Sequence, residues 1–257
     1  MIPQAEANLL IAEGIRSGQY PARLYKYRAF DEYTDSLFIN HQLYFSKPSG
    51  FNDPFDCQIR DLFRYTRDEV YQYLITRAGA EPEQAGQLAD MYSRDPSVFN
   101  TALEAVKQSV IGSKGILSMT VRRDDILMWA HYTHSHEGFV LGFDIAADIQ
   151  FFTTPHHVTY VDEYPAFAFL TEREKIVSHG MLAKSSHWSY EEEIRVIKNE
   201  DGLKPFEKRS LVEVIMGSRI SAVNRARLEG LLQNHGYDHV EIKQATVSSS
   251  RYALEIP

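Results

Sequence analysis

The chain has 257 residues, 44% apolar and 24% charged, the profile of an ordinary water-soluble folded chain long enough for a sizeable core. A net charge of −8 repels nucleic-acid phosphates at long range and argues against a non-specific DNA- or RNA-binding role. The single cysteine, Cys57, rules out an internal disulfide and a cysteine-rich zinc site. The amino-terminal stretch lacks a basic start and is broken by acids, and no apolar run approaches a membrane span, so a cytoplasmic protein without a membrane partner is expected.

Leu9, Leu10, Ile11 and Ile15 recur at helical spacing and predict a helix over residues 6–16, stopped before Gly18. Residues 23–28 alternate as a strand, with Tyr25 and Tyr27 on one face and Lys26 and Arg28 on the other. A short helix at 31–38 and a second strand at 41–46 follow, the strand closed by Lys47-Pro48-Ser49-Gly50. In Phe51-Asn52-Asp53-Pro54-Phe55-Asp56 the proline pushes Asp53 out of the α region, and the two phenylalanines predict a polar turn pinned into the core. Thr66 to Glu69 has the pattern of a helix cap, and residues 66–75, 81–91 and 96–110 read as helices. They form a helical insertion at about residues 62–112, without a chemical signature of its own, in one α+β domain over 1–257.

Strands are expected again at 115–120, 138–144, 158–161, 193–197, 211–216, 239–242 and 252–256, with a capped helix at 124–132 and a longer one at 219–234 closed by Gly236. The nearly continuous apolar run at 138–144 belongs in the middle of a sheet. Strands without regular helical crossovers point to an α+β fold with a mixed, mostly antiparallel sheet.

The densest chemistry lies in Trp188-Ser189-Tyr190-Glu191-Glu192-Glu193-Ile194-Arg195. Read as a strand, it places Glu191, Glu193 and Arg195 on one face and Glu192 and Ile194 on the other. One reading is a surface ladder of opposite charges. The other is a catalytic or ligand-anchoring glutamate held by arginine and framed by Trp188 and Tyr190. Lys26 and Arg28 suit a phosphate clamp, or else decorate an edge strand. Trp129 and Tyr132 share a helix face and either line a pocket or pack. His131, His134 and His136 are close in sequence but lack the carboxylate helper of a zincin motif, so one structural or substrate-contacting histidine and two solvated ones are expected, and no metal. Cys57 has no evident base to make it a nucleophile, and no P-loop, Gly-x-Gly-x-x-Gly or Gly-x-Ser-x-Gly element is present. Asp53, Asp56, Glu191 and Glu193 offer a magnesium-dependent nuclease reading, which the acidic surface and the lack of a metal motif disfavour.

Tyr25-Lys26-Tyr27-Arg28, Phe51 to Asp56, Leu117-Ser118-Met119-Thr120, Met128 to Tyr132 with Gly138-Phe139, and Trp188 to Arg195 together resemble a widespread family of bacterial proteins that carry a domain of unknown function. A second resemblance is to ADP-ribosyltransferases, which carry an arginine at the end of a first strand, a Ser- or Tyr-bearing strand, and a late Glu-x-Glu. Here Arg28 matches the first element. Ser118-x-Thr120 matches the second, with Leu43-Tyr44-Phe45-Ser46 competing for it, and Glu191-x-Glu193 matches the third. Met119 stands where that family has threonine, and the three consecutive acids leave the register of the third element open.

The resemblance implies an ADP-ribosyltransferase-like core and NAD as substrate. The acceptor would be an unidentified macromolecule or water, and the setting a bacterial toxin or phage-defence effector. Glu193 would be catalytic, with Glu191 beside it. Arg28 and Lys26 would hold the diphosphate, Ser118 would line the cleft, Tyr44, Trp129 and Tyr132 would offer rings, and Arg195 would keep Glu193 ionised. The alternative is a non-enzymatic module that senses a nucleotide or phosphorylated ligand.

Overall fold

The computed structural model describes residues 4–60, 64–153 and 155–257, and within them the periodicities of the sequence become elements in chain order. Helix α1 (Gln4–Arg16) precedes strand β1 (Arg23–Arg28), helix α2 (Thr34–Ile39) and strand β2 (Gln42–Phe45). Helices α3 (Arg67–Thr76), α4 (Pro82–Arg94) and α5 (Pro96–Gly112) follow. Then come β3 (Gly115–Thr120), α6 (Ile126–Tyr132), β4 (Phe139–Asp144), α7 (Ile149–Phe152), β5 (His156–His157), β6 (Thr159–Val161) and β7 (Ala183–Ser185). The chain closes with β8 (Glu193–Lys198), β9 (Gly202–Pro205), β10 (Leu211–Met216), α8 (Ala222–Asn234), β11 (Glu241–Gln244), β12 (Thr246–Val247) and β13 (Leu254–Glu255). This is an α+β protein, as the strand spacing implied. Among the described residues no helix is long and apolar enough to cross a membrane.

The chain divides into two compact units: Met1–Ser46 with Gly115–Val158 and His187–Pro257, and Lys47–Lys114 with Thr159–Ser186. The first holds a seven-stranded sheet of order β11-β10-β4-β1-β3-β8-β5. All neighbours are antiparallel except β10 and β11. β4 sits inside the sheet between β10 and β1, where an apolar run on both faces belongs. β1 pairs β4 at all six of its positions but pairs β3 only at Tyr25↔Thr120. Where the β1–β3 ladder narrows, Lys26 Nζ donates to the Ser118 carbonyl at 2.8 Å.

Alternation gives the sheet two unlike faces. Leu24, Leu117, Met119, Leu141, Ile194 and Val196 lie in one large apolar core with Phe38, Phe45 and the α8 leucines. Each such side chain contributes about 1.5–3 kcal/mol by burial. The other face packs a smaller cluster of Tyr25, Tyr27, Met128, Trp129, Val140 and Ile215. It also carries Ser118, Thr120, Glu193, Arg195 and Glu213.

In the second unit, Thr66 forms a capping box with Glu69, as the sequence pattern requires, and opens α3. Asp95 caps α5 through the Ser97 N–H. Residues 61–63, where the helical insertion is expected to begin, lie outside the described residues. β6 and β7 form a short parallel pair, and a π-helical turn at Ile176–Met181 that the sequence did not signal lies between them in the chain. The turn at 51–56 departs from expectation. Phe51 is half-buried, but Phe55 is exposed, and the buried residues are Asp53, Asp56 and Cys57. Asp53 Oδ1 accepts the Phe55 N–H at 2.8 Å and Asp56 Oδ1 the Cys57 N–H at 2.7 Å, so the carboxylates rather than the rings organise this turn. Cys57 needs this support because its φ is +52°.

Candidate functional site

The segment Trp188 to Arg195 is not one strand. β8 begins at Glu193, Glu191 ends a 3-10 helix at Ser186–Glu191, and Glu192 between them takes a left-handed φ of +42°. Simple alternation therefore does not relate Glu191 to Glu193. The turn is fixed by Thr120, whose hydroxyl donates to the Glu191 carbonyl at 2.6 Å and accepts the Arg122 N–H at 2.9 Å. The outcome still separates the acids as expected. Glu191 and Glu193 are buried, at 3% and 4% exposure, while Glu192 turns outward and pairs with Arg122 at 2.8 Å.

A surface ladder of charges does not survive this burial. Arg195 is fully buried and grips Glu193 with two bonds, Nε to Oε1 at 2.8 Å and an amino nitrogen to Oε2 at 3.1 Å. Such a fork-to-fork pair fixes both planes and balances the charge away from water. In register beside Arg195 lie Ser118 on β3 and His156 on β5, and beside Glu193 lies Thr120. Burial lowers the pKa of His156 below its ordinary value, so the imidazole next to Arg195 is neutral at pH 7 and does not repel it.

Helix α6 covers this face of the sheet. Asp125 caps it by accepting the Leu127 and Met128 N–H groups, and the Trp129 indole anchors it to the Arg123 carbonyl at 2.9 Å. Trp129 is fully buried, edge-on to Tyr27 at 5.4 Å and stacked with His136 at 6.3 Å. Tyr132, one helical turn later, donates its hydroxyl to Glu191 Oε1 at 2.5 Å. Around that contact stand His131, Trp188 and Tyr190, with ring centroids 6.1–6.4 Å apart. These rings are half-buried or exposed, and they present flat faces beside two buried carboxylates.

The site therefore gathers Glu191, Glu193, Arg195, Ser118, Trp129 and Tyr132 on one side of the sheet. Arg28 and Lys26 are not with them. Their register partners Phe139 and Leu141 belong to the large apolar core, so both lie on the opposite face, and Arg28 pairs with Asp31 at 2.8 Å. Arg28 therefore does not meet Glu193, because one residue of alternation separates it from the face of Tyr25 and Tyr27. Tyr44 is exposed on the β2–β9 ribbon, opposite Leu203. The three histidines diverge. His131 joins the ring cluster, His134 points to solvent near Glu137, and His136 packs on Trp129, where burial and Arg219 lower its pKa. The chain between them holds three successive left-handed residues, His134, Ser135 and His136.

Sequence reading missed two participants. His156 sits on a two-residue strand too short to show a period. Glu213, fully buried on β10, binds Arg123 at 2.7 Å and Lys243 at 2.9 Å through one oxygen. A Cβ at Gly142 would lie 3.1–3.2 Å from the Glu213 side chain and 3.0 Å from Tyr25, so glycine leaves room for both. A lone acid in the apolar run Leu211 to Met216 is the signal that could have flagged Glu213. Arg122 and Arg123 thus tie the β3–α6 loop to Glu192 on one side and Glu213 on the other.

Residues 128–196 match a family model described as protein of unknown function (DUF2971), in line with the resemblance drawn from the motifs. No curated protein and no solved structure matches the chain. The matched segment holds Trp129, Tyr132, Glu191, Glu193 and Arg195, and it excludes Lys26, Arg28, Tyr44 and Ser118.

Proposed function

We propose that the chain cleaves the nicotinamide–ribose bond of NAD and passes the ADP-ribosyl group to an acceptor or to water, with Glu191 and Glu193 as its working carboxylates. The observation that carries this reading is the pair of buried carboxylates, one held by Tyr132 and one by Arg195, beside the half-exposed rings of His131, Trp188 and Tyr190. Strands β3 and β8, which carry Ser118, Thr120 and Glu193 of the resemblance, are also neighbours in the sheet.

In this reading a ring of the cluster stacks on nicotinamide. The C1′–N bond breaks with its electron pair leaving on the neutral base, and positive charge builds on the ribose. A nearby carboxylate stabilises that charge, an effect worth about 2.7–4 kcal/mol for one preorganised group. The acceptor oxygen or nitrogen then bonds to C1′ and loses its proton to solvent. Glu191, next to the rings, is the group that touches substrate. Glu193, saturated by Arg195, holds the local charge and geometry. Lys26 and Arg28 take no part. Such chemistry suits a toxin or phage-defence effector, since it consumes NAD or modifies cell components.

Incubation with labelled NAD and cell lysate tests the proposal. The wild type should transfer label or release nicotinamide, and Glu191→Gln, folded by circular dichroism at the assay temperature, should lose about 100-fold or more in turnover. No turnover by the wild type and no NAD binding by calorimetry would overturn it. A second reading, a nucleotide-sensing module without catalysis, is favoured by one observation: Arg195 already engages both oxygens of Glu193. It requires NAD binding without nicotinamide release, retained in Glu193→Gln.

A further inference from the structure

We propose that a pocket on the apolar-core side of the sheet, opposite the carboxylate cluster, binds a small phosphate monoester whose anionic group lies between Lys198 and Lys204. The cavity is about 630 Å³, within the range that takes a nucleotide-sized molecule. It opens beside the end of β8, and its walls include Phe151, Phe206 and His41 together with the two lysines. Lys198 shares strand parity with Ile194 and Val196, which places it on the core face and away from Glu193.

The lining sets Lys198 and Lys204 against Asp148, Glu200 and Glu207, and the anion subsite is the corner held by the two lysines. Lys198 Nζ makes a hydrogen bond to the Gln150 carbonyl at 2.8 Å, and no carboxylate of the described residues lies within ion-pair distance of it. Its pKa falls to about 8, chiefly through burial, with Lys204 pushing the same way against the pull of Asp148. A half-buried ammonium beside a second cation is relieved by a bound dianion.

None of the lining acids forms an ion pair with Lys198 among the described residues. Both Asp148 oxygens are engaged by backbone N–H groups, Phe151 at 3.1 Å and Glu207 at 2.7 Å. Glu200 reaches Lys204 only at 3.9 Å from a side chain 84% exposed, and Glu207 is exposed. The rings add a wall for the organic part of the ligand: Phe151 lies 6.0 Å from Lys198 Nζ, and His41 meets Phe206 edge-on at 6.2 Å. His41 Nδ1 is also buried with no hydrogen-bond partner, a deficit of the kind that ligands satisfy.

Calorimetric titration with phenyl phosphate, and in parallel with inorganic phosphate, tests the site on the full chain. Phenyl phosphate should bind saturably, and more tightly than inorganic phosphate because of the aromatic wall. Lys198→Met and Lys204→Met should each weaken it about tenfold or more, while Lys198→Arg retains most of the affinity. Absence of saturable binding, or equal binding by wild type and both methionine variants, would overturn the proposal. Should Lys198→Met fail to fold, acetylation mapping of the wild type decides. Protection of Lys198 by phenyl phosphate supports the site, and an unprotected Lys198 overturns it.

Discussion

The two faces of the seven-stranded sheet are made by the same strands, yet they do different work. On one face Leu117, Met119, Leu141, Ile194 and Val196 join a continuous apolar core. On the other, the intervening residues Thr120, Glu193 and Arg195 form a buried polar row beside half-buried Ser118, with Glu213 farther along the sheet. The apolar face is cohesive whatever its detailed packing, because burial is additive and non-directional. The polar face is stable only while each charge keeps its partner, because a buried charge without one costs more than most cores can offset. The carboxylates of the proposed NAD site therefore lie on the face that is energetically fragile.

That contrast can be broken experimentally, beginning with the largest effect. Arg195→Met should destabilise the chain by about 3–5 kcal/mol in denaturant titration, because Glu193 remains buried without its fork. The double variant Glu193→Leu with Arg195→Met should recover most of this loss. If the double variant is no better than the single, the pair is not the electrostatic unit described. On the apolar face, Leu141→Ala should cost about 2–5 kcal/mol, with no partner change able to rescue it short of refilling the cavity. Tyr132→Phe should cost less, about 1.5–3 kcal/mol, by removing one bond to a charged acceptor. It should also lower any NAD turnover by more than its loss of folded population accounts for.

The smallest effect is a pH dependence. The pKa of His156 is lowered in the folded chain, so the unfolded chain takes up a proton first as pH falls below about 6.5. Its contribution to stability is thus intact above that value and is lost on acidification. His156→Gln should flatten the decline in melting temperature below pH 6.5. An unchanged slope would show that His156 is not the titrating group.

Much of the framework could be read in the sequence. The strands at 23–28, 115–120, 138–144 and 211–216, the capping box at Thr66 and the glycine closure after α8 follow from local alternation and local hydrogen bonding, which depend on neighbours in the chain. The same alternation correctly put Lys26 and Arg28 opposite Tyr25 and Tyr27. It did not reveal which of those faces Glu193 would share, since strand order and register are decided between segments far apart in sequence. The left-handed turn at Glu192 was equally hidden, because it depends on Thr120, seventy-one positions away from Glu191.

The sequence by itself determined that this chain is an α+β protein and that Glu191, Glu193 and Arg195 form its densest chemistry. Only the tertiary structure decided that these charges are buried, that Lys26 and Arg28 lie on the other face, and that Tyr132 and His156 stand beside them. The physical reason is range. Periodicity and capping act over a few residues, whereas burial and charge pairing are settled when β1, β3, β5 and β8 come together from distant parts of the chain.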